Sequence, residues 1–127
     1  MKEVKEFVDR YSKLLALNKS ISTSEAEKHA GEFLLAMAKL TDVRHLFAED
    51  KIQLTSLQTA VYAEEMSKGT AKTVTENKMM AEATAEYTKA REDLERVDND
   101  IAYLRAYYDI FNNAHLFYRN MAKGESF

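Results

Sequence analysis

The chain has no cysteine, no proline and no tryptophan in its 127 residues, and only three glycines, at positions 31, 69 and 124. Without cysteine there is no disulfide, no thiolate metal ligand and no cysteine nucleophile. Glycine and proline supply the tight turns between strands, so their scarcity points to helices joined by few connections. Long apolar runs are missing as well. The longest stretch free of charged side chains, Ile52 to Ala63, contains Gln, Thr and Ser and falls short of the roughly 20 apolar residues that a bilayer demands, which argues against a membrane-spanning segment. The opening residues MKEVKEFVDR interleave charge with apolar side chains where a secretory signal needs an uninterrupted apolar stretch, so a cytoplasmic location is expected. A net charge of -3 argues against a broadly basic nucleic-acid surface.

What is present is helical periodicity. With 46% hydrophobic and 31% charged residues, the chain is expected to form one all-α domain over 1–127. Val4, Phe7, Val8, Tyr11, Leu14 and Leu15 fall at helical spacing and predict a short first helix over about 2–18. Ser22 with Glu25 fits a capping box, in which the hydroxyl accepts from a first-turn N–H, and predicts a second helix over 24–67. Along it Phe33, Leu40, Phe47, Leu54 and Val61 recur every seven residues, with Ala36, Val43 and Leu57 three residues on and Asp50 and Glu64 as charged interruptions. Thr73 with Glu76 repeats the capping box and predicts a third helix over 76–122, stopped by Lys123 and Gly124.

The third helix has the better repeat. Met80, Tyr87, Leu94, Ile101, Tyr108, His115 and Ala122 are seven apart, and Ala83, Ala90, Val97, Leu104, Phe111 and Tyr118 lie three residues further on. A period of 3.5 sustained this long calls for a long partner, and the second helix has nearly the same length. The expected architecture is therefore a short N-terminal helix plus a long antiparallel two-helix coiled-coil hairpin. From Tyr103 onward a second apolar line appears, Tyr103, Tyr107, Ile110, Ala114, Phe117 and Met121, on a different face from the seam. The first helix can cover part of it as a three-helix core. The remainder, Tyr103, Tyr107, Ile110, Phe117 and Met121, is the expected interface of a homo-oligomer.

Catalytic patterns are absent. His29, His45 and His115 sit in three segments with no spacing that aims two ligands at one metal; Asp42 and His45 read as an ordinary polar pair, and His115 as a satisfied core or interface histidine. Asp93 and Asp100 on one flank, with Arg91, Arg105 and Arg119 on the other, read as register-setting salt-bridge partners. No enzyme activity, catalytic residue, metal or cofactor is expected. The one segment with a chemical bias is Ser67 to Thr75, SKGTAKTVT, which holds Lys68 and Lys72, four hydroxyl residues and no acid, with Lys78 one turn on. It lacks the two-glycine frame of a nucleotide loop, but lysines and small donors suit phosphate oxygens. Lys68, Thr70, Lys72, Thr73 and Lys78 are therefore the candidate nucleic-acid-binding residues, with the surroundings of Arg105, Arg119 and Lys123 as the alternative site should the turn not bind. A ring of copies would multiply so weak a patch by multivalency.

The Lys-Gly-Thr turn, T-V-T-E-N-K at 73–78, M-A-E-A-T-A-E-Y ending at Tyr87, Ala90-Arg91, Leu94, Leu104 and Arg119 together resemble the small phage recombination mediators of the UvsY type over residues 67–121. That resemblance implies a non-catalytic, oligomeric protein of the host cytoplasm that binds single-stranded DNA. It further implies partners, a recombinase that it helps to load or the single-strand-binding protein that covers those strands. The chain departs from the pattern in its net acidity. An alternative from the acidic and aromatic helical faces is a phage-type inhibitor or adaptor that binds a host protein.

Overall fold

The computed structural model describes residues 1–15, 21–69 and 73–124, and among these every regular element is an α-helix. They are α1 (Lys2–Leu15), α2 (Thr23–Ser67), α3 (Val74–Glu82) and α4 (Ala85–Ala122). The long helices α2 and α4 pack against each other and run antiparallel: His29 meets Tyr118, Arg44 meets Tyr108, Lys51 meets Asp98 and Tyr62 meets Tyr87. No described helix is long and apolar enough to cross a membrane.

The caps explain most boundaries. Ser22 Oγ accepts from the Glu25 N–H at 3.1 Å, and Thr73 Oγ1 accepts from the Glu76 N–H at 3.1 Å, so both anticipated caps are in place. α2 stops at Ser67, after which the Gly69 N–H bonds the Met66 carbonyl, and a Cβ at Gly69 would run into the Asn77 side chain. α4 ends before Gly124, whose φ of 75° is the left-handed conformation that glycine adopts at helix C-termini. The expected end of the first helix, at residue 18, lies outside the described residues.

The third helix differs from expectation. Instead of one helix over 76–122, the chain breaks at Ala83 and Thr84. The Ala83 N–H shares the Met79 and Met80 carbonyls, while Thr84 Oγ1 accepts from the Tyr87 N–H at 3.2 Å and starts α4 afresh. The break re-phases α3, so that Ala81 is buried while Met80 and Ala83, both placed on the seam by heptad counting, are exposed. Leu57 is also exposed rather than on the seam.

The chain groups into two compact units, Met1–Arg44 with Ala102–Phe127, and His45–Ile101. The first is a three-helix unit. Tyr11 of α1 lies 6.0 Å from Phe33 of α2 and 5.9 Å from Phe111 of α4, and Phe33 and Phe111 are 5.5 Å apart, measured between ring centroids. Phe33 also stacks on Tyr118 at 5.8 Å. Tilted and offset pairs of this kind suit the ring quadrupole, and each large ring removes much apolar area from water. Phe33, Leu40, Leu104 and Phe111 are sealed completely. His115 donates from Nδ1 to the Ala30 carbonyl of α2 at 2.8 Å, the satisfied histidine anticipated from the seam. The second unit holds the turn and is thinly covered: of its described residues only Ala81 and Ala90 are buried, and Phe47, Leu54, Val61, Leu94 and Val97 are half-buried. Among the described residues one ion pair joins α2 to α4 here, Lys51 to Asp98 at 2.8 Å, and the others of this unit are local, three or four residues apart.

Candidate functional site

Charge is divided between the units. Counted over the full sequence, the three-helix unit has eleven Lys and Arg against nine Asp and Glu, formally +2, and the turn unit has seven against twelve, formally -5. The net acidity of the chain thus belongs to one unit alone. Pairing sharpens the contrast. In the turn unit Lys51, Lys68, Lys89, Arg91 and Arg96 each meet a carboxylate within 4.0 Å, leaving Lys78 as the described cation without an ion pair. In the three-helix unit the contact between His29 and Glu32 at 3.5 Å is the one ion-pair geometry among the described residues.

The free cations of the three-helix unit include a row built on α4. Arg105, Tyr108, Asn112 and Arg119 are separated by three, four and seven residues, spacings that keep them on one side of a helix. Arg44 of α2 joins them, its guanidinium carbon 5.6 Å from the centre of the Tyr108 ring. Such a contact contributes about 0.5–1 kcal/mol at an exposed site and orients the guanidinium while leaving its N–H donors available. None of Arg44, Arg105 and Arg119 has a carboxylate partner among the described residues. Forked donors beside an aromatic face suit phosphate oxygens and nucleobases. From sequence, Arg105 and Arg119 stand as flank charges and, with Lys123, as the alternative nucleic-acid site to the turn lysines. The signal passed over is the offset between Arg105, Tyr108, Asn112 and Arg119, completed across the helix pair by Arg44.

The turn residues fare differently. The segment 67–75 contains no acid, but the last turn of α2 brings two: Lys68 Nζ meets Glu64 at 3.2 Å and Glu65 at 3.7 Å. Hydrogen bonding to Glu64 and its charge, with Glu65 behind it, hold the Lys68 ammonium above its ordinary pKa. The Thr73 hydroxyl is engaged in capping α3, and Lys78 is exposed on that helix. Thr70 and Lys72 lie outside the described residues. No hydrogen bond or ion pair joins Lys68, Thr73 and Lys78 to one another.

The second apolar line on α4 divides in two. Tyr103 and Tyr107 are half-buried, their rings 4.9 Å apart, with Lys5 of α1 standing 5.7 Å over Tyr103 and Tyr107 lying 5.9 Å from Phe111. Burial, and then the neighbouring Tyr107 and Asp9, raise the Tyr103 phenol above its usual pKa. Ile110 and Phe117, 42% and 46% exposed, face outward, with Met121 half-buried beyond them. Tyr103, Ile110 and Phe117 are seven apart, and the interleaved Ala106 and Asn113 carry no charge either, so α4 has a second, uncharged heptad stripe besides the one that packs on α2.

Among the described residues, no group of three or more His, Cys, Asp or Glu side chains converges as a metal site would require. The chain matches no family model, and no curated protein or solved structure shows significant similarity to it.

Proposed function

We propose that the chain is a non-catalytic, self-assembling helical protein that binds the backbone of single-stranded nucleic acid, as an accessory to phage recombination or replication. The observation that carries this reading is the row of Arg105 and Arg119 along α4 with Arg44 over the Tyr108 ring, none of them in an ion pair among the described residues, in a unit of positive formal charge. The uncharged stripe through Ile110 supports assembly, because copies of one chain can pack such stripes on each other without burying charge. The resemblance to recombination mediators supports a role in loading a recombinase onto strands held by single-strand-binding protein. The acid excess of the turn unit favours a second reading, an adaptor or inhibitor that docks on a partner protein through that unit.

The test is binding of a labelled single-stranded oligonucleotide by anisotropy over a range of salt. Each phosphate contact on a single strand contributes about 0.7 to the slope of log affinity against log salt. Replacing Arg105 and Arg119 by alanine should weaken binding and flatten that slope by roughly 1.4, whereas replacing Lys68 should change neither much. An unaltered slope in the double variant would reject the arginine row as the site.

A further inference from the structure

The turn unit contains an open groove of about 270 Å³ lined by Gln58, Thr59 and Tyr62 of α2, Glu82 at the end of α3 and Tyr87 in the first turn of α4. Tyr87 meets Tyr62 across the helix pair, ring centroids 5.8 Å apart and planes tilted by 54°. Two half-exposed tyrosine faces therefore stand beside a carboxylate. Glu82 has no ion pair among the described residues, unlike Glu64, Glu65, Asp93, Glu95 and Asp98 of the same unit. The Thr59 hydroxyl donates to the Thr55 carbonyl at 3.0 Å, which commits its proton and leaves its lone pairs as acceptors.

The groove thus offers aromatic faces, a carboxylate, a hydroxyl acceptor and an amide, and among the described residues no cationic side chain lines it. We infer that it holds a cationic side chain, a guanidinium above all, from a basic segment of a partner protein. A planar guanidinium can stack on tyrosine while donating to a carboxylate and to amide and hydroxyl oxygens, which an ammonium does less well. The surroundings favour the same occupant. With seven cations against twelve acids the unit attracts basic chains over several ångströms, and five of those cations are already neutralised by ion pairs. This inference rests on the second reading above and is independent of the arginine row.

The experiment titrates the full-length chain with a fluorescein-labelled Arg-Gly repeat peptide at low salt and at physiological salt. Glu82→Gln and, separately, Tyr62→Leu should each weaken binding about fivefold, and replacing Arg by Lys in the peptide should weaken it by a comparable factor. Glu92→Gln removes one charge from the same acidic unit outside the groove and should change affinity less than twofold. Glu82 is exposed, so its variant keeps the fold, and a circular-dichroism spectrum checks the Tyr62 variant. Equal losses for Glu82→Gln and Glu92→Gln would overturn the groove while leaving a basic partner on a diffuse acidic surface. No peptide binding at either salt would overturn both the groove and the adaptor reading. Tighter oligonucleotide binding by Glu82→Gln than by the unmodified chain, with no effect on the peptide, would mean that the carboxylate repels nucleic acid there and would also overturn the proposal.

Discussion

Thr84 accepts a hydrogen bond from the Tyr87 N–H at 3.2 Å and donates one to the Ala81 carbonyl at 2.9 Å, so a single hydroxyl closes α3 and opens α4. Loss of an N-cap hydroxyl costs about 1 kcal/mol. Thr84→Ala should lower unfolding stability by about that amount in urea, and Thr84→Ser should restore most of it. A Thr84→Ala variant as stable as the original would mean that the bond adds nothing to the cap.

The three-helix unit carries most of the sealed apolar volume. Phe111→Ala removes the ring shared by Tyr11 and Phe33 and should cost about 3–5 kcal/mol, with α1 released. Leu94→Ala, at a half-buried position of the turn unit, should cost clearly less, on the order of 1–2 kcal/mol. Chemical denaturation of the two variants side by side measures the difference.

Self-association should depend on the outward part of the α4 stripe. Ile110→Glu is expected to lower the mass in light scattering with helicity unchanged, since that side chain is 42% exposed. Tyr107→Glu is expected to disturb folding as well, because that ring is half-buried beside Phe111. If Ile110→Glu leaves the mass unaltered, the stripe is not an interface between copies.

Burial, with Tyr107 and Asp9 adding to it, raises the Tyr103 phenol above its ordinary pKa. The folded state then holds this proton more tightly than the unfolded state does. The contribution to stability is complete below the unfolded value and is lost as pH rises through the folded one. Tyr103→Phe should therefore flatten the decline of stability at alkaline pH and leave stability near neutrality little changed. Denaturation midpoints taken on either side of pH ~10 provide the comparison.

The antiparallel pairing of α2 and α4 was legible because Phe33 and Leu40 on one helix, and Leu104, Phe111 and Tyr118 on the other, repeat at heptad spacing and are buried. Ser22 and Thr73 were legible because each is followed three residues later by a glutamate. Thr84 was not: Tyr87 stands where the glutamate of a capping box would be, and no proline or glycine marks the break. Once that break was missed, heptad counting carried Met80 and Ala83 onto a seam they do not join. The arginine row was only half visible, since its α4 members follow helical spacing but Arg44 arrives from sixty-one residues before Arg105. The pairing of Lys68 was hidden because Glu64 and Glu65 lie just outside the acid-free segment, one helical turn back.

The meeting of Tyr11 with Phe111 has a kinetic consequence. The two rings touch across one hundred residues of sequence, and closing a loop that long costs about 4 kcal/mol in chain entropy. Tyr62 and Tyr87 are only twenty-five residues apart, and once they meet, α2 and α4 can zip along their seams and bring Phe33 beside Phe111 before α1 arrives. Of the helices in the three-helix unit, α1 is then the last to lock. Substitutions at Tyr11 should accelerate unfolding and leave the folding rate nearly untouched, whereas substitutions at Ala90 or Leu104 should slow folding, a division that stopped-flow chevrons resolve directly.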